Sequence, residues 1–478
     1  MQQLPDTASP VLAKALDPEA FRQWGHQLID LLADHLSQPG KRSTVMPWRE
    51  PEEQFALWEN RLQNQAFANP LDLFQTVLDE SIDLHHPQYM GHQVCAPAPL
   101  PMLAGLMSDF LNNGMGVYEM GGPATAIERS VLRTLTRQIG WDETSGGVLT
   151  SGGSLANLTA LLTARSLKAS TKVWREGHQR PLALLVSEEA HYCIDRAVRI
   201  MGWGEAGIIK VPADAAFRMR TDLLEECYRQ ALENGMEVIA VVGSACSTST
   251  GSFDDLEAIG AFCKKHQLWM HVDAAHGGGA VFSGKYKKLL KGIELADSIA
   301  VDFHKTMLTP ALCTALVYQN GEHPYYTFAQ QAHYLFADKI SLQDPNTAKR
   351  TFECTKFMMG LKVYSLLSTY GTSLFDAYVS QVFDLGQYMG NAIRQRPSFE
   401  LALTPQCNIV CFRKIWQGLS AEETNRRNEA LRAHVLEDAH FYIVKTQLRG
   451  KVYLRCTLIN VHTAPEHIEK LLDFLEAH

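Results

Sequence analysis

The sequence predicts an α/β protein: a large unit built on a mainly parallel sheet, preceded by an N-terminal helical arm and followed by a smaller α+β unit. Three observations carry this. Between about residues 90 and 320, short β-rich runs alternate with helical stretches, the pattern of a sheet covered on both faces. Residues 1–75 hold helical periodicity only. Beyond residue 350, a long helical stretch precedes two strand-like runs and a closing helix. The resulting division is 1–75 for the arm, 76–350 for the large unit and 351–478 for the small one.

Element by element, AFRQWGHQLIDLLADHL spaces its apolar residues for a helix, and PWREPEEQFALWENRL repeats the pattern after a proline-containing break. LALLVS, VIAVVGS, LWMHVD, SIAVD and CTALVYQ read as strands, with DDLEAIGAFCKKHQ as an intervening helix. Ligands of such sheets bind beyond the carboxyl ends of the strands. The helical pattern over about 350–395 is followed by the strand-like NIVCFRKI and KVYLRCTLI and the helix APEHIEKLLDFLEAH. There is no internal repeat and no low-complexity tract.

Composition narrows the function. A chain of 478 residues can bury a core large enough for an enzyme. Its net charge of −8 speaks against nucleic acid as a partner, because phosphate binding needs a basic face. The opening MQQLPDTASP lacks the basic start and apolar run of a secretory signal, and no stretch reaches the roughly 18 apolar residues of a membrane span. A cytoplasmic protein with no membrane partner is expected. The ten cysteines read as reduced, mostly buried thiols. Cys407 and Cys411 have no second Cys or His pair at zinc spacing, so no metal is expected.

Four motifs carry chemistry. ADSIAVDFHKTM ends a β-rich run in Asp302, Phe303, His304 and Lys305, and a lysine at a strand's carboxyl end can form a Schiff base. A lysine alone is ordinarily a solvated charge; its company is what matters. LWMHVDAAHGGG puts Asp273 at the end of another strand, where its carboxylate could pair with a protonated pyridine nitrogen or simply cap the next helix. In GGVLTSGGSLANLTALLTAR, a Gly/Ser/Thr turn precedes a helix. Its backbone N–H groups and the hydroxyls of Thr150, Ser151 and Ser154 suit a phosphate, although such turns are often only structural. No GxxxxGK[ST] is present, so a nucleoside triphosphate is not indicated. LLVSEEAHYCIDRA places His191 just past a strand, as a ring to stack on a cofactor or as a satisfied core histidine.

Taken in order, phosphate turn, histidine, aspartate and lysine at successive strand ends are far more specific than any one of them. Together with HPQYMGH, TSGGSLAN, SEEAHY, GSFDDLEAI, HVDAAHGGG and DFHK, they make the chain from about residue 80 onward resemble the group II decarboxylases dependent on pyridoxal 5′-phosphate (PLP). That is the fold-type-I family acting on glutamate, aromatic amino acids, histidine, cysteine sulfinate and diaminobutyrate. The resemblance implies the PLP-dependent transferase fold type I and PLP as cofactor. Lys305 would be the Schiff-base lysine, Asp273 the partner of the pyridinium, and His191 and Ala275 the two ring-face contacts. Ser151, Gly152, Gly153 and Ser154 would hold phosphate with His304, while Asp302 and Thr248 would lie near the cofactor. Lys305, His191 and Asp273 would be catalytic. Arg455 would face the substrate carboxylate, and His92 and Gln93 are candidate substrate contacts.

The resemblance also implies a homodimer with the site at the subunit interface, and α-decarboxylation of an amino acid to an amine and CO₂. A small polar, diaminobutyrate-like substrate is the first expectation, with acidic ones behind it. Departures are Asp302 where many relatives have Asn, Cys193 where Ser is common, and no tyrosine between Asp338 and Lys356, where relatives carry one that returns a proton to Cα. His191, His333 or Tyr334 could supply that proton instead. The rivals are an oxidative deaminase that yields an aldehyde and a catalytically silent PLP-fold binding protein.

Overall fold

The computed structural model describes residues 9–328 and 344–478. Its main sheet has seven strands: β1 Gly146–Thr150, β2 Leu182–Ser187, β3 Ile208–Val211, β4 Glu237–Ser244, β5 Trp269–Asp273, β6 Ser298–Asp302 and β7 Thr314–Tyr318. They lie in the order β1-β7-β6-β5-β4-β2-β3. Pairing is parallel from β3 through β6, and only β7 runs against its neighbours. The parallel expectation holds with that one exception, and the exception matters. An antiparallel β7 brings its first residue, Thr314, into register with the last residue of β6, Asp302.

Both faces of this sheet are buried, which is why its strands read as continuous apolar runs. Alternation assigns the residues to sides. Ala183, Leu185, Met270, Val272, Ile299, Val301, Ala315 and Val317 belong to the core shared with the helices Tyr118–Ile139, Leu224–Glu233 and Leu256–His266. Leu184, Val186, Trp269, Ala300, Leu316 and Tyr318 face the helices Gly153–Lys168 and Tyr192–Ile200. His271 and Asp273 share the parity of Trp269 and therefore lie beneath helix 153–168.

A second, antiparallel sheet has the order β10-β11-β9-β8, from β8 Phe399–Leu401, β9 Ile409–Lys414, β10 Val444–Leu448 and β11 Lys451–Thr457. Helices Ser373–Arg394, Ala421–Asp438 and Pro465–Ala477 pack on it around Phe412, Leu454, Leu471 and Leu472. The sequence reading found β9 and β11 but not β1, β3, β8 and β10. β1 was hidden in a Gly-rich segment, and β8 is only three residues long. At the N-terminus the helices Pro18–Ser37 and Pro51–Gln63 form as expected, with two more at Pro10–Ala15 and Pro70–Glu80. Among the described residues, no helix is long and apolar enough to cross a membrane.

Candidate active site

The carboxyl ends of β1, β4, β5 and β6 open on a cavity of about 370 Å³. All the residues expected to hold the cofactor line it, from Ser151–Ser154 through His191, Thr248, Asp273 and Ala275 to Asp302, His304 and Lys305. Sequence reasoning did not single out Leu155, Asn157, Cys246, His276 and Leu312, which share the wall.

On one side stands Lys305, whose Nζ is 2.9 Å from Asp302 Oδ2. Asp302 is fixed in turn by the hydroxyl of Thr314 at the start of antiparallel β7. Burial works against the ammonium form of Lys305, but Asp302 and Asp273 outweigh it and hold its pKa above the ordinary lysine value. The Asp at position 302, a departure from many relatives, is therefore the lysine's direct ionic partner.

The same cavity holds a buried carboxylate that makes no salt bridge among the described residues. Asp273 Oδ1 accepts the N–H of Ala275 at 3.1 Å, and Oδ2 accepts Asn157 Nδ2 at 3.0 Å. Behind Asn157 runs a chain of hydrogen bonds whose directions are forced. The amide nitrogen of Asn157 faces the carboxylate, so its Oδ1 must accept from His271 Nε2, 2.7 Å away. Burial pushes His271 down to about 4, so the ring is neutral and its Nδ1 accepts from Ser298 Oγ at 2.8 Å. That oxygen accepts from Trp269 Nε1 at 2.8 Å. Every donor in the chain points toward Asp273, so both of its oxygens are held as acceptors.

The third anchor is the N-terminus of helix 153–168. Gly152 at its N-cap has φ +145°, a conformation that L side chains rarely adopt, and no side chain caps the helix. The uncapped first turn leaves N–H groups free for an anion. A Cβ on Gly153 would come within 3.4 Å of both Asp302 oxygens, so the backbone here packs directly on the lysine's partner. Anion cradle, unpaired buried carboxylate and lysine converge on one cavity. Such a donor set fits PLP, whose phosphate, pyridine nitrogen and aldehyde each need one of them.

The family profile for the pyridoxal-dependent decarboxylase conserved domain matches residues 63–415. The chain belongs to the pyridoxal-dependent decarboxylases. The human cysteine sulfinic acid decarboxylase is 30% identical over 408 residues, 83% of this chain and 82% of the relative. An L-aspartate decarboxylase of Metarhizium robertsii is 29% identical over 431 residues, 89% of this chain and 85% of the relative. The crystal structure of mouse CSAD superposes with a TM-score of 0.88 at 26% identity, covering 96% of this chain and 99% of that one. The fold is that of fold type I, PLP is the cofactor, and the reaction class is PLP-dependent decarboxylation of an amino acid.

In this decarboxylase His191 caps helix 192–200, its Nδ1 accepting the N–H of Cys193 at 3.3 Å. Burial lowers its pKa against the pull of Asp273, so the ring at the cavity wall is neutral, with its remaining proton on Nε2. Arg455 stands behind the wall: its guanidinium donates to the carbonyl of Thr248 at 2.8 Å. His92 is not part of the cavity wall of the single chain; it is exposed on one side, with its ring 5.8 Å from that of Tyr442. Gln93 is buried, and its Nε2 has no partner. His333, Tyr334 and the first part of the tyrosine-free segment, 338–343, lie outside the described residues.

Proposed function

We propose that the decarboxylase acts on an amino acid with an acidic side chain, such as aspartate, glutamate or cysteine sulfinate. The observation that carries this is a pair of guanidinium groups with no carboxylate partner among the described residues. Arg455 is buried with Nε unsatisfied, and Arg432, half-buried on helix 421–438, is likewise unpartnered at Nε. The charges of both act on His92: after partial burial they are the next causes that hold its pKa below the ordinary value. One cation answers the α-carboxylate that every amino-acid substrate carries; a second favours a second anion and disfavours an ammonium side chain. This puts acidic substrates ahead of the diaminobutyrate-like ones that the sequence alone suggested. The two named relatives that act on cysteine sulfinate and aspartate support the same order.

Within the site, PLP supplies the electron sink. Lys305 would hold its aldehyde and Asp273 its ring nitrogen, with the helix 153–168 N-terminus and the hydroxyls of Ser151 and Ser154 holding the phosphate. His191 and Ala275 would contact the ring faces, with Thr248 and His304 at its edge. His191 would hold or pass a proton at Nε2. Incubating the PLP-loaded enzyme with aspartate, glutamate, cysteine sulfinate and 2,4-diaminobutyrate, and measuring CO₂ and amine, tests the reading. A higher kcat/KM for diaminobutyrate than for every acidic substrate would overturn it. Aldehyde with oxygen uptake in place of amine would overturn amine production itself.

We also propose a homodimer, which the arm supports. The helices Pro10–Ala15, Pro18–Ser37, Pro51–Gln63 and Pro70–Glu80 bury no residue completely, and Phe21, Phe55 and Leu62 are 58%, 66% and 81% exposed. Apolar faces on that scale need cover, and a second copy of the chain packed on these helices is the cover we propose. A monomeric mass by light scattering would exclude it.

A further inference from the structure

The turn after β4, the turn after β5 and the segment before β9 bring the buried Cys246, His276 and Cys407 together at the boundary between the two sheets. The thiols are 161 positions apart in sequence, yet their Sγ atoms are 3.9 Å apart. Three observations bear on what this cluster can do. First, that separation matches the edge of a tetrahedral thiolate site, about 3.8 Å for metal–sulfur bonds of about 2.3 Å. Second, the imidazole is set in one tautomer. Asn408 donates its Nδ2 to the carbonyl of Leu458 at 3.1 Å, so its Oδ1 must accept from His276 Nε2, 2.8 Å away. The bare lone pair is therefore on Nδ1, and Nδ1 is buried without any hydrogen-bond partner. Third, an imidazole that donates its far N–H to an amide oxygen and keeps its near nitrogen bare is the arrangement that metal-binding histidines use.

We infer that Cys246, Cys407 and His276 Nδ1 form a binding site for one thiophilic divalent ion of the zinc class. The ligating atoms all lie within 4.8 Å of one another, so small side-chain shifts close the site. Binding forms two metal–sulfur bonds and one metal–nitrogen bond, keeps one water as the fourth ligand and releases the two thiol protons to solvent, with no change of oxidation state. The ion reaches the site through the cofactor cavity, since Cys246 and His276 line that cavity and Cys407 does not. Occupancy draws both cavity residues toward Cys407 and away from their resting positions beside Lys305, so ion binding inhibits the decarboxylase, reversibly on chelation.

Cobalt(II) added to the PLP-loaded enzyme under a phosphine reductant is the test. Expected are one Co²⁺ per chain by equilibrium dialysis, the visible d–d bands of tetrahedral thiolate-bound cobalt, and a Cd²⁺–thiolate ultraviolet band in parallel titrations. Cys407→Ser and Cys407→Ala should each retain activity without added ion, lose both bands and lose inhibition by Zn²⁺. Folding of each variant is checked by its thermal midpoint and its PLP absorbance. The inference is overturned if no cobalt band develops at one equivalent, or if the band survives in either folded Cys407 variant. It is also overturned if one Co²⁺ per chain is bound by wild type and by both folded Cys407 variants alike.

Discussion

Replacing Lys356 by Met tests how the phosphate end of the site is held. Lys356 Nζ lies 2.5 Å from Glu128 Oε1 and donates to the carbonyl of Leu149 at 2.9 Å, while the same Glu128 oxygen accepts the N–H of Leu149 at 3.0 Å. The two charged side chains are 1% and 3% exposed. Leu149 is the penultimate residue of β1, directly before the turn at Thr150–Ser154, so this ion pair clamps the strand that delivers the anion cradle. Lys356→Met keeps the aliphatic stem and leaves the Glu128 carboxylate buried without its cation, which costs about 3–5 kcal/mol. The double variant Glu128→Leu, Lys356→Met removes the uncompensated charge as well and leaves the Leu149 N–H and C=O unpaired, at about 1–3 kcal/mol each, offset by the about 1–4 kcal/mol that exchanging a buried ion pair for apolar side chains returns. Equilibrium urea unfolding of the PLP-loaded enzyme should rank wild type above the double variant and the double variant above Lys356→Met. PLP affinity, titrated by absorbance, should fall in the same order. A single variant within about 1 kcal/mol of wild type, or a double variant as unstable as the single, would refute the reasoning.

Three further outcomes are expected. Asp273→Asn should keep PLP bound yet lower kcat by about 10²–10³, as loss of one electrostatic catalytic contact does; its amide nitrogen would also oppose the N–H of Ala275 or the amide of Asn157, and near-normal turnover would contradict the assignment. Asp302→Asn removes the carboxylate that favours the ammonium form of Lys305, so the rate at which PLP becomes borohydride-trappable should peak at lower pH than in wild type; an unmoved profile would show that Asp302 does not govern the lysine. Burial raises Asp254 to about 6, so its folded value lies above the ordinary aspartate value near 3.8. A raised folded pKa means stability that is complete below about pH 4 and lost as pH rises through 6. Relative to Asp254→Asn, the wild type should therefore lose about 1.4 kcal/mol per pH unit between those limits, and parallel pH–stability curves would rule this out.

What could be read from the sequence follows the range over which each signal acts. Strands buried on both faces announce themselves as apolar runs, so β2, β4, β5, β6 and β7 were legible, and their carboxyl ends already pointed to Asp273 and Lys305. β1 was not, because Gly146 and Gly147 open it and its chemistry reads as a turn. The direction of β7 was not legible either, since an apolar run carries no sign of polarity; yet that direction places the Thr314 hydroxyl on Asp302. Arg455 was legible only through family resemblance, and the helix that carries its neighbour Arg432 has too little apolar periodicity to mark an inward face.

The donors to Asp273 mark the boundary between these cases. Strand parity alone puts Trp269, His271 and Asp273 on one face, and a helix that starts at a glycine turn puts its fourth and fifth residues over the end of that strand. Asn157, the fifth residue of helix 153–168, is therefore the position from which one side chain spans His271 and Asp273, two residues apart along β5. That inference needed only the HVD spacing and the helix start, both present in the sequence. The convergence of Cys246 with Cys407 needed more. It depends on how the second sheet docks against the first, which no spacing within either segment encodes. Residues that act through a shared strand or helix can thus be sought by parity and period, whereas residues that meet across two packed units become visible only when the packing is known.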